Sequence, residues 1–239
     1  MRYSILSIIL FVFCLADEKN TKKPVQLFEK LKDNEGWIVR KNKEGIILST
    51  KAIEGMSIGA FMVQQKTNIN PTIIKNIIMD IKNYDTYFSN SETSNFKEIY
   101  RKNNWEDNQL VEVVDGYHFI PVAVPFIKDR EYYFRIQEDG FSTEDSSSII
   151  HWYLVRKNDN TKSVNRKITN DIITINYGAG LWSAEDFEGD SYVLTYRLFL
   201  DPGGMIPGFM IDMMNETNIV NIFKNVISAA ENKGISLLR

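Results

Sequence analysis

The sequence of 239 residues has few of the side chains that most often carry reactive chemistry, with one cysteine and two histidines. The single cysteine, Cys14, excludes an internal disulfide, a cysteine-ligated zinc site and a Cys-x-x-Cys redox motif. The two histidines, His118 and His151, show no spacing typical of metal ligands. We therefore predict no metal and no cofactor.

An excess of positive charge is also lacking, because 28 lysines and arginines stand against 31 acidic residues, for a net charge of -3. Domains that bind nucleic acid usually carry a clustered basic surface, so we expect no nucleic-acid partner. A composition of 44 % hydrophobic and 25 % charged residues excludes a disordered chain. No linker-like stretch and no internal repeat follow residue 20, which indicates one domain, expected to be monomeric.

Residues 1–16 have the parts of a secretory signal peptide, with a basic Arg2, an apolar run over Ile5–Leu15 and the small residue Ala16. The run is about a dozen residues long, too short to cross roughly 30 Å of hydrocarbon at about 1.5 Å per residue. We predict cleavage after Ala16 and an exported domain, periplasmic or secreted. A lipoprotein and a retained membrane anchor are the alternatives.

Hydrophobic periodicity along the rest of the chain predicts a helix, three strands, two helices, six strands and a long terminal helix, in that order. The predicted strands span residues 37–40, 45–50, 60–70, 96–102, 109–119, 130–137, 148–156, 172–184 and 191–201. In the terminal helix, apolar side chains recur at helical spacing from Ile219 to Ala230. The predicted fold class is α+β, a long twisted antiparallel sheet whose concave side is closed by this helix, leaving a hollow.

Two segments carry a family resemblance. The first is Pro125–Tyr133 (PFIKDREYY), which leads into a strand, and the second is the more specific Asp201–Phe209 (DPGGMIPGF), which joins the last strand to the terminal helix. With the order of elements, they resemble START-domain lipid-transfer proteins over Leu27–Lys233. The resemblance implies a lipid-binding domain over residues 25–235, with a helix-grip fold and an internal tunnel for one lipid. It also implies a loop, Ile120–Lys128, that gates the tunnel against the terminal helix.

Strand alternation predicts which side chains face the hollow. In strand 191–201 the even positions are apolar or aromatic, and strands 130–137 and 148–156 have the same parity. A wall of aromatic rings with a few hydroxyls suits a large apolar ligand with one polar end. The side chains expected to contact the ligand are Tyr117, Phe126, Tyr132, Phe134, Ile136, Trp152, Leu154, Tyr192, Tyr196, Leu198, Met210, Met213, Met214 and Thr217.

One position departs from the sterol-carrying members of the family, which place an acid and an arginine in the cavity. The inward position that corresponds to the arginine is Ile136, with Arg135 predicted on the outer face. The facing strand offers Tyr117 or His118 in place of an acid. The departure argues against sterol specificity, and a phospholipid, fatty acyl or sterol-like ligand stays open.

Residues Gly55–Gly59 match the G-x-S-x-G motif, with Ser57 at its centre. A nucleophile elbow needs a helix after the serine, whereas a strand is predicted here, so we expect a hairpin turn and no enzyme. The predicted function is to bind one lipid or similar hydrophobic ligand in an internal cavity and to transfer it between membranes through transient contact with a membrane surface. A helix-grip enzyme acting on a hydrophobic substrate and a ligand-free protein-interaction module remain alternatives.

Overall fold

A computed structural model describes residues 23–87, 96–106, 109–122, 127–138, 148–156, 172–204 and 208–237. The helices are α1 (Lys23–Lys32), α2 (Pro71–Met79), α3 (Tyr84–Tyr87) and α4 (Gly208–Leu237), with a 3-10 turn at Ile81–Asn83. The strands are β1 (Ile38–Lys43), β2 (Ile46–Ala52), β3 (Gly59–Thr67), β4 (Phe96–Glu106), β5 (Gln109–Ile120), β6 (Asp129–Glu138), β7 (Ser148–Val155), β8 (Ile172–Thr174), β9 (Tyr177–Asp186) and β10 (Tyr192–Asp201). The predicted signal peptide lies outside the described residues, as do residues 123–126 of the predicted gating loop.

The strands form one sheet in the order β1-β2-β3-β10-β9-β7-β6-β5-β4, with antiparallel neighbours throughout. Strands pair in sequence from β1 to β3, from β4 to β7 and from β9 to β10, and β10 joins the first three strands to the rest by pairing with β3. The prediction of an α+β fold with a long antiparallel sheet is therefore confirmed.

The strand predicted over residues 172–184 is wrong as a single element, because the chain forms two strands there. The first, β8, runs parallel to β6 beside Asp129–Glu131, a stretch that β7 does not reach. The chain then leaves β6 at Ile175, whose N–H donates to the carbonyl of Glu131 at 2.8 Å, and crosses to pair β9 with β7 and β10. The break depends on where β7 ends, which the local sequence does not specify.

Helices α2 and α4 lie on one face of the sheet, called here the inner face. The side chain of Asn70 caps α2 by accepting a hydrogen bond from Thr72 N at 2.8 Å, and Pro71 occupies the first turn. On α4, the apolar stripe that includes Ile219, Phe223 and Ala230 is buried against the sheet and α2. Within the described residues, no helix has both the length and the apolar character needed to cross a membrane.

Helix α1 packs on the opposite, outer face, against β9 and β10. Leu27 and Leu31 are buried there with Phe199. The buried guanidinium of Arg197 donates to the carbonyls of Leu31 and Lys32 at 3.1 and 3.0 Å. Since carbonyls at a helix end have no partner within the helix, this arginine both satisfies them and fixes α1 to the sheet.

Candidate ligand-binding cavity

A cavity of about 60 Å³ lies between the inner face of the sheet and α4. Its wall is almost entirely apolar and aromatic. The lining side chains come from the end of α2, from α3, from five strands and from α4: Ile78, Tyr84, Phe96, Tyr132, Phe134, Ile136, Trp152, Trp182, Tyr196, Ile222 and Val226.

Sheet register explains why these residues share one face. Side chains directly opposite each other on neighbouring strands point to the same side of a sheet. Ile136 of β6 lies opposite Trp152 of β7, which in turn lies opposite Gly180 of β9. Trp182, two residues beyond Gly180, lies opposite Tyr196 of β10. The even-numbered positions of β6, β7, β9 and β10 therefore form one continuous inner surface.

Five of the side chains predicted to contact a ligand lie in the cavity wall, namely Tyr132, Phe134, Ile136, Trp152 and Tyr196. Leu154 and Leu198 are buried in the same apolar core next to the cavity, without being part of its wall. Phe126 lies outside the described residues. Met210, Met213 and Met214 belong to α4, but their side chains also lie outside the described part of the chain.

Three predicted contact residues require correction. Tyr117 lies opposite Tyr133 on the outer face, where its hydroxyl donates to Glu131 at 3.0 Å, and the inner position of β5 is its neighbour His118. Tyr192 is only half-buried at the start of β10 and is not part of the wall. Thr217 is exposed, because it lies about 200° around α4 from the buried Ile219.

Several wall residues were not predicted, and Trp182 is the largest of them. Its ring stacks on Tyr196 with centroids 4.2 Å apart and on Phe223 of α4 with centroids 5.6 Å apart. Strands β8 and β9 were predicted as one strand, so the alternation that puts Trp182 on the inner face was not recognised. The others come from α2, α3, β4 and α4, whose positions over the sheet depend on tertiary packing.

Two glycines within strands allow large rings to lie flat across the inner face. A Cβ atom on Gly116 would lie 2.9 Å from two ring carbons of Phe134 and closer still to a third. A Cβ atom on Gly180 would lie 2.5 Å from Nε1 of Trp152 and 2.9 Å from the carbonyl oxygen of Arg197. Side chains at these positions would push both rings away from the sheet and into the cavity.

The polar atoms of the wall belong to uncharged groups. Nε1 of Trp152 donates to the hydroxyl of Tyr196 at 3.2 Å, and the hydroxyl of Tyr132 lies 2.8 Å from Nδ1 of His118. The Tyr84 hydroxyl donates to the carbonyl of Ile78. Burial raises the pKa of Tyr84, Tyr132 and Tyr196 well above the ordinary value, so these phenols stay neutral at physiological pH.

The arginine next to the cavity points away from it. Arg135 lies on the outer face, as predicted, where Nε and Nη2 bind the two carboxylate oxygens of Asp115 at 2.6 and 2.8 Å. This hydrogen-bonded ion pair raises the pKa of Arg135. The inward position in this part of β6 is Ile136, as predicted, so an isoleucine and not an arginine faces the cavity here.

Ser57 lies in the turn between β2 and β3. The element that follows is strand β3 and not a helix, so the local geometry is the predicted hairpin turn. His118 lies on the inner face, whereas His151 packs against Phe28 on the outer face. In the part of the chain that the structure describes, no group of three or more histidine, cysteine or acidic side chains is arranged to hold a metal ion.

Solved structures of lipid-transfer domains have the same fold. The chain matches a STAR-related lipid transfer protein fragment from Xanthomonas axonopodis with a TM-score of 0.63 and 15 % identity, covering 82 % of this chain and 99 % of that one. It matches human STARD10 with a TM-score of 0.64 and 14 % identity, over 86 % and 77 % of the two chains. It matches human StAR-related lipid transfer protein 5 with a TM-score of 0.60 and 11 % identity, over 92 % and 99 %.

These likenesses define the class of fold. No model of a known protein family matches the sequence, and no curated protein matches it significantly. At 11–15 % identity the structural matches concern the fold alone. The chain has an α+β fold of the same class as these structures. More specifically, it has a START-like helix-grip fold.

Proposed function

We propose that the protein binds a single lipid or similar hydrophobic molecule in the cavity beneath α4 and transfers it between membranes. The observation that carries the proposal is the aromatic and apolar cavity enclosed between the sheet and α4 of a START-like fold. Binding and release involve no covalent chemistry, and the protein acts as an exported monomer whose mature form begins at Asp17.

The cavity must enlarge to hold a lipid. Its volume of about 60 Å³ is well below the roughly 300–1,000 Å³ of pockets that hold drug-sized ligands. Burial of hydrocarbon contributes roughly 0.8 kcal/mol per CH₂, so a chain of about ten methylenes gains about 8 kcal/mol. That gain offsets the cost of displacing a wall and of ordering the ligand.

Helix α4 is the wall most suited to move. Two ion pairs join it to the β1–β2 hairpin, Lys41 with Glu216, and Lys224 with Glu44 at 3.8 Å. The Lys224–Glu44 pair and Lys41 are exposed, whereas Glu216 is partly buried. Exposed pairs contribute about 0–1 kcal/mol, so separating Lys224 from Glu44 costs little. The apolar contacts that α4 loses on moving are replaced by contacts with the ligand.

Lipid uptake from vesicles tests the proposal. The protein is incubated with phosphatidylcholine vesicles that also contain diacylglycerol, free fatty acid and cholesterol, is separated from them, and its bound lipid is extracted and quantified. We expect about one lipid per chain, and movement of that lipid to acceptor vesicles. A protein that emerges without lipid would overturn the proposal.

A matched pair of variants locates the bound lipid. Val226→Phe fills the cavity from α4, whereas Val25→Phe makes the same change at an exposed position of another helix. We expect uptake to be lost in the first variant and kept in the second, with circular dichroism showing that both fold. If Val226→Phe does not fold, Ile222→Trp fills the cavity from a half-buried position. Unchanged uptake in a folded cavity-filling variant would contradict binding in this cavity.

A further inference from the structure

The hydroxyl of Tyr196 has an unused hydrogen-bond donor. An indole N–H can only donate, so the 3.2 Å contact from Trp152 makes the Tyr196 oxygen an acceptor. Among the described residues, nothing accepts the hydrogen of that hydroxyl. Tyr196 is only 4 % exposed and lines the cavity. Buried donors are normally paired, so this one is available to a group inside the cavity.

The described wall offers nothing to neutralise a charge. Its eleven side chains are aromatic or aliphatic, and the nearby guanidinium of Arg135 is paired with Asp115 on the outer face. Burying an ionised group without a partner is strongly unfavourable. A carboxylate or phosphate is therefore disfavoured next to the Tyr196 hydroxyl, whereas an uncharged acceptor oxygen can bind there.

We infer that the ligand of this cavity is uncharged and carries an acceptor oxygen, as in an ester, ketone or alcohol, that accepts the hydrogen bond of Tyr196. The hydrocarbon part of the ligand lies against the rings of Trp152 and Trp182. This inference rests on the proposed function, because it describes the ligand class of the same cavity.

Three probes with the same hydrocarbon chain separate charge from hydrogen bonding: methyl dodecanoate, dodecanoate and dodecane. Tryptophan emission reports binding, since Trp152 and Trp182 line the cavity. We expect the ester to bind the unmodified protein at least about tenfold more tightly than the carboxylate, because only the carboxylate buries an unpaired charge. This ratio is measured without any substitution, so it does not depend on a variant that folds.

The hydrogen bond is tested by Tyr196→Phe, with Tyr133→Phe as the control for a buried tyrosine on the outer face. Tyr196→Phe should weaken ester binding about three- to tenfold, as expected for one neutral hydrogen bond, and leave dodecane binding unchanged. Tyr133→Phe should change neither.

Failure of this inference and failure of the proposed function give different results. If none of the three probes binds, the proposed function fails and the inference fails with it. If the probes bind but the carboxylate binds as tightly as the ester, the cavity accepts charge and the inference is wrong while the proposed function stands. An equal effect of Tyr196→Phe on ester and alkane would likewise overturn the hydrogen bond.

Discussion

At the scale of single residues, the cavity exists because two strand positions have no side chain. Gly116 lies opposite Phe134, and Gly180 lies opposite Trp152, so that each ring covers the backbone of the neighbouring strand. Glycine within a strand costs stability, and close approach of a ring is a physical reason to keep it there. The two glycines therefore lower the stability of their strands, but they leave space between the sheet and α4.

A double-mutant cycle tests the role of Gly116. We expect Gly116→Ala to lower the free energy of unfolding by about 1–3 kcal/mol, the usual cost of overpacking. In a Phe134→Leu background the same substitution should cost distinctly less, because the three atoms nearest to the added Cβ all belong to the Phe134 ring. Urea denaturation of the four proteins measures both values. Equal costs in the two backgrounds would show that the ring is not the reason for the glycine.

Inner and outer side chains could be predicted from sequence where only one set of positions is strongly apolar. In β10 the alternation places Tyr196 and Leu198 on the inner face, as the structure confirms. In β5 the prediction that Tyr117 contacts the ligand was wrong, because both faces of this strand are buried and alternation could not separate Tyr117 from His118. Val114 and His118 face inward while Val113 and Tyr117 face outward, so alternation carries little information there.

At the scale of elements, Arg130 joins the start of β6 to the turn that precedes α4. Its buried guanidinium donates to the carbonyls of Pro202 at 3.2 Å and Gly203 at 3.3 Å, and also to that of Lys128. Burial lowers the pKa of Arg130, although an arginine stays charged at physiological pH. The turn itself is closed by Asp201, whose Oδ1 accepts from Gly203 N at 2.9 Å.

The Arg130 contacts predict a large effect of a conservative change. Arg130→Lys keeps the charge but cannot reach three carbonyls in the same geometry. We expect it to lower the free energy of unfolding by about 1.5–3 kcal/mol, the value of a hydrogen bond to a charged group. Arg40→Lys is the matched control, since Arg40 is exposed and bonds Thr50 through Nε at 2.7 Å. Thermal or urea unfolding that gives similar small losses for both would contradict the role assigned to Arg130.

Most elements could be predicted from sequence because their signals are local. Asn70 and Pro71 specify the start of α2, and the DPGG turn uses the positive φ angles of Gly203 and Gly204, 64° and 73°. The separation of β8 from β9 could not be predicted, because it depends on the length of β7. Where the end of one strand depends on the length of a neighbouring strand, the local sequence does not indicate it.

At the scale of the whole molecule, the sheet carries different features on its two faces. Its outer face holds α1 through Leu27, Leu31 and the guanidinium of Arg197. Its inner face holds the cavity beneath α4. The element order and the resemblance predicted a hollow beneath the terminal helix, but the position of α1 on the outer face and the small volume of the cavity depend on tertiary packing, which no local pattern encodes.

Native mass spectrometry of the protein, expressed from its full sequence, is the most direct test of the central claim, that one uncharged hydrophobic molecule occupies the cavity. We expect a chain that begins at Asp17 and carries one bound mass per chain, which organic extraction releases as a lipid without a charged group. A protein with no bound mass, which also takes up no lipid from mixed vesicles, would contradict the claim.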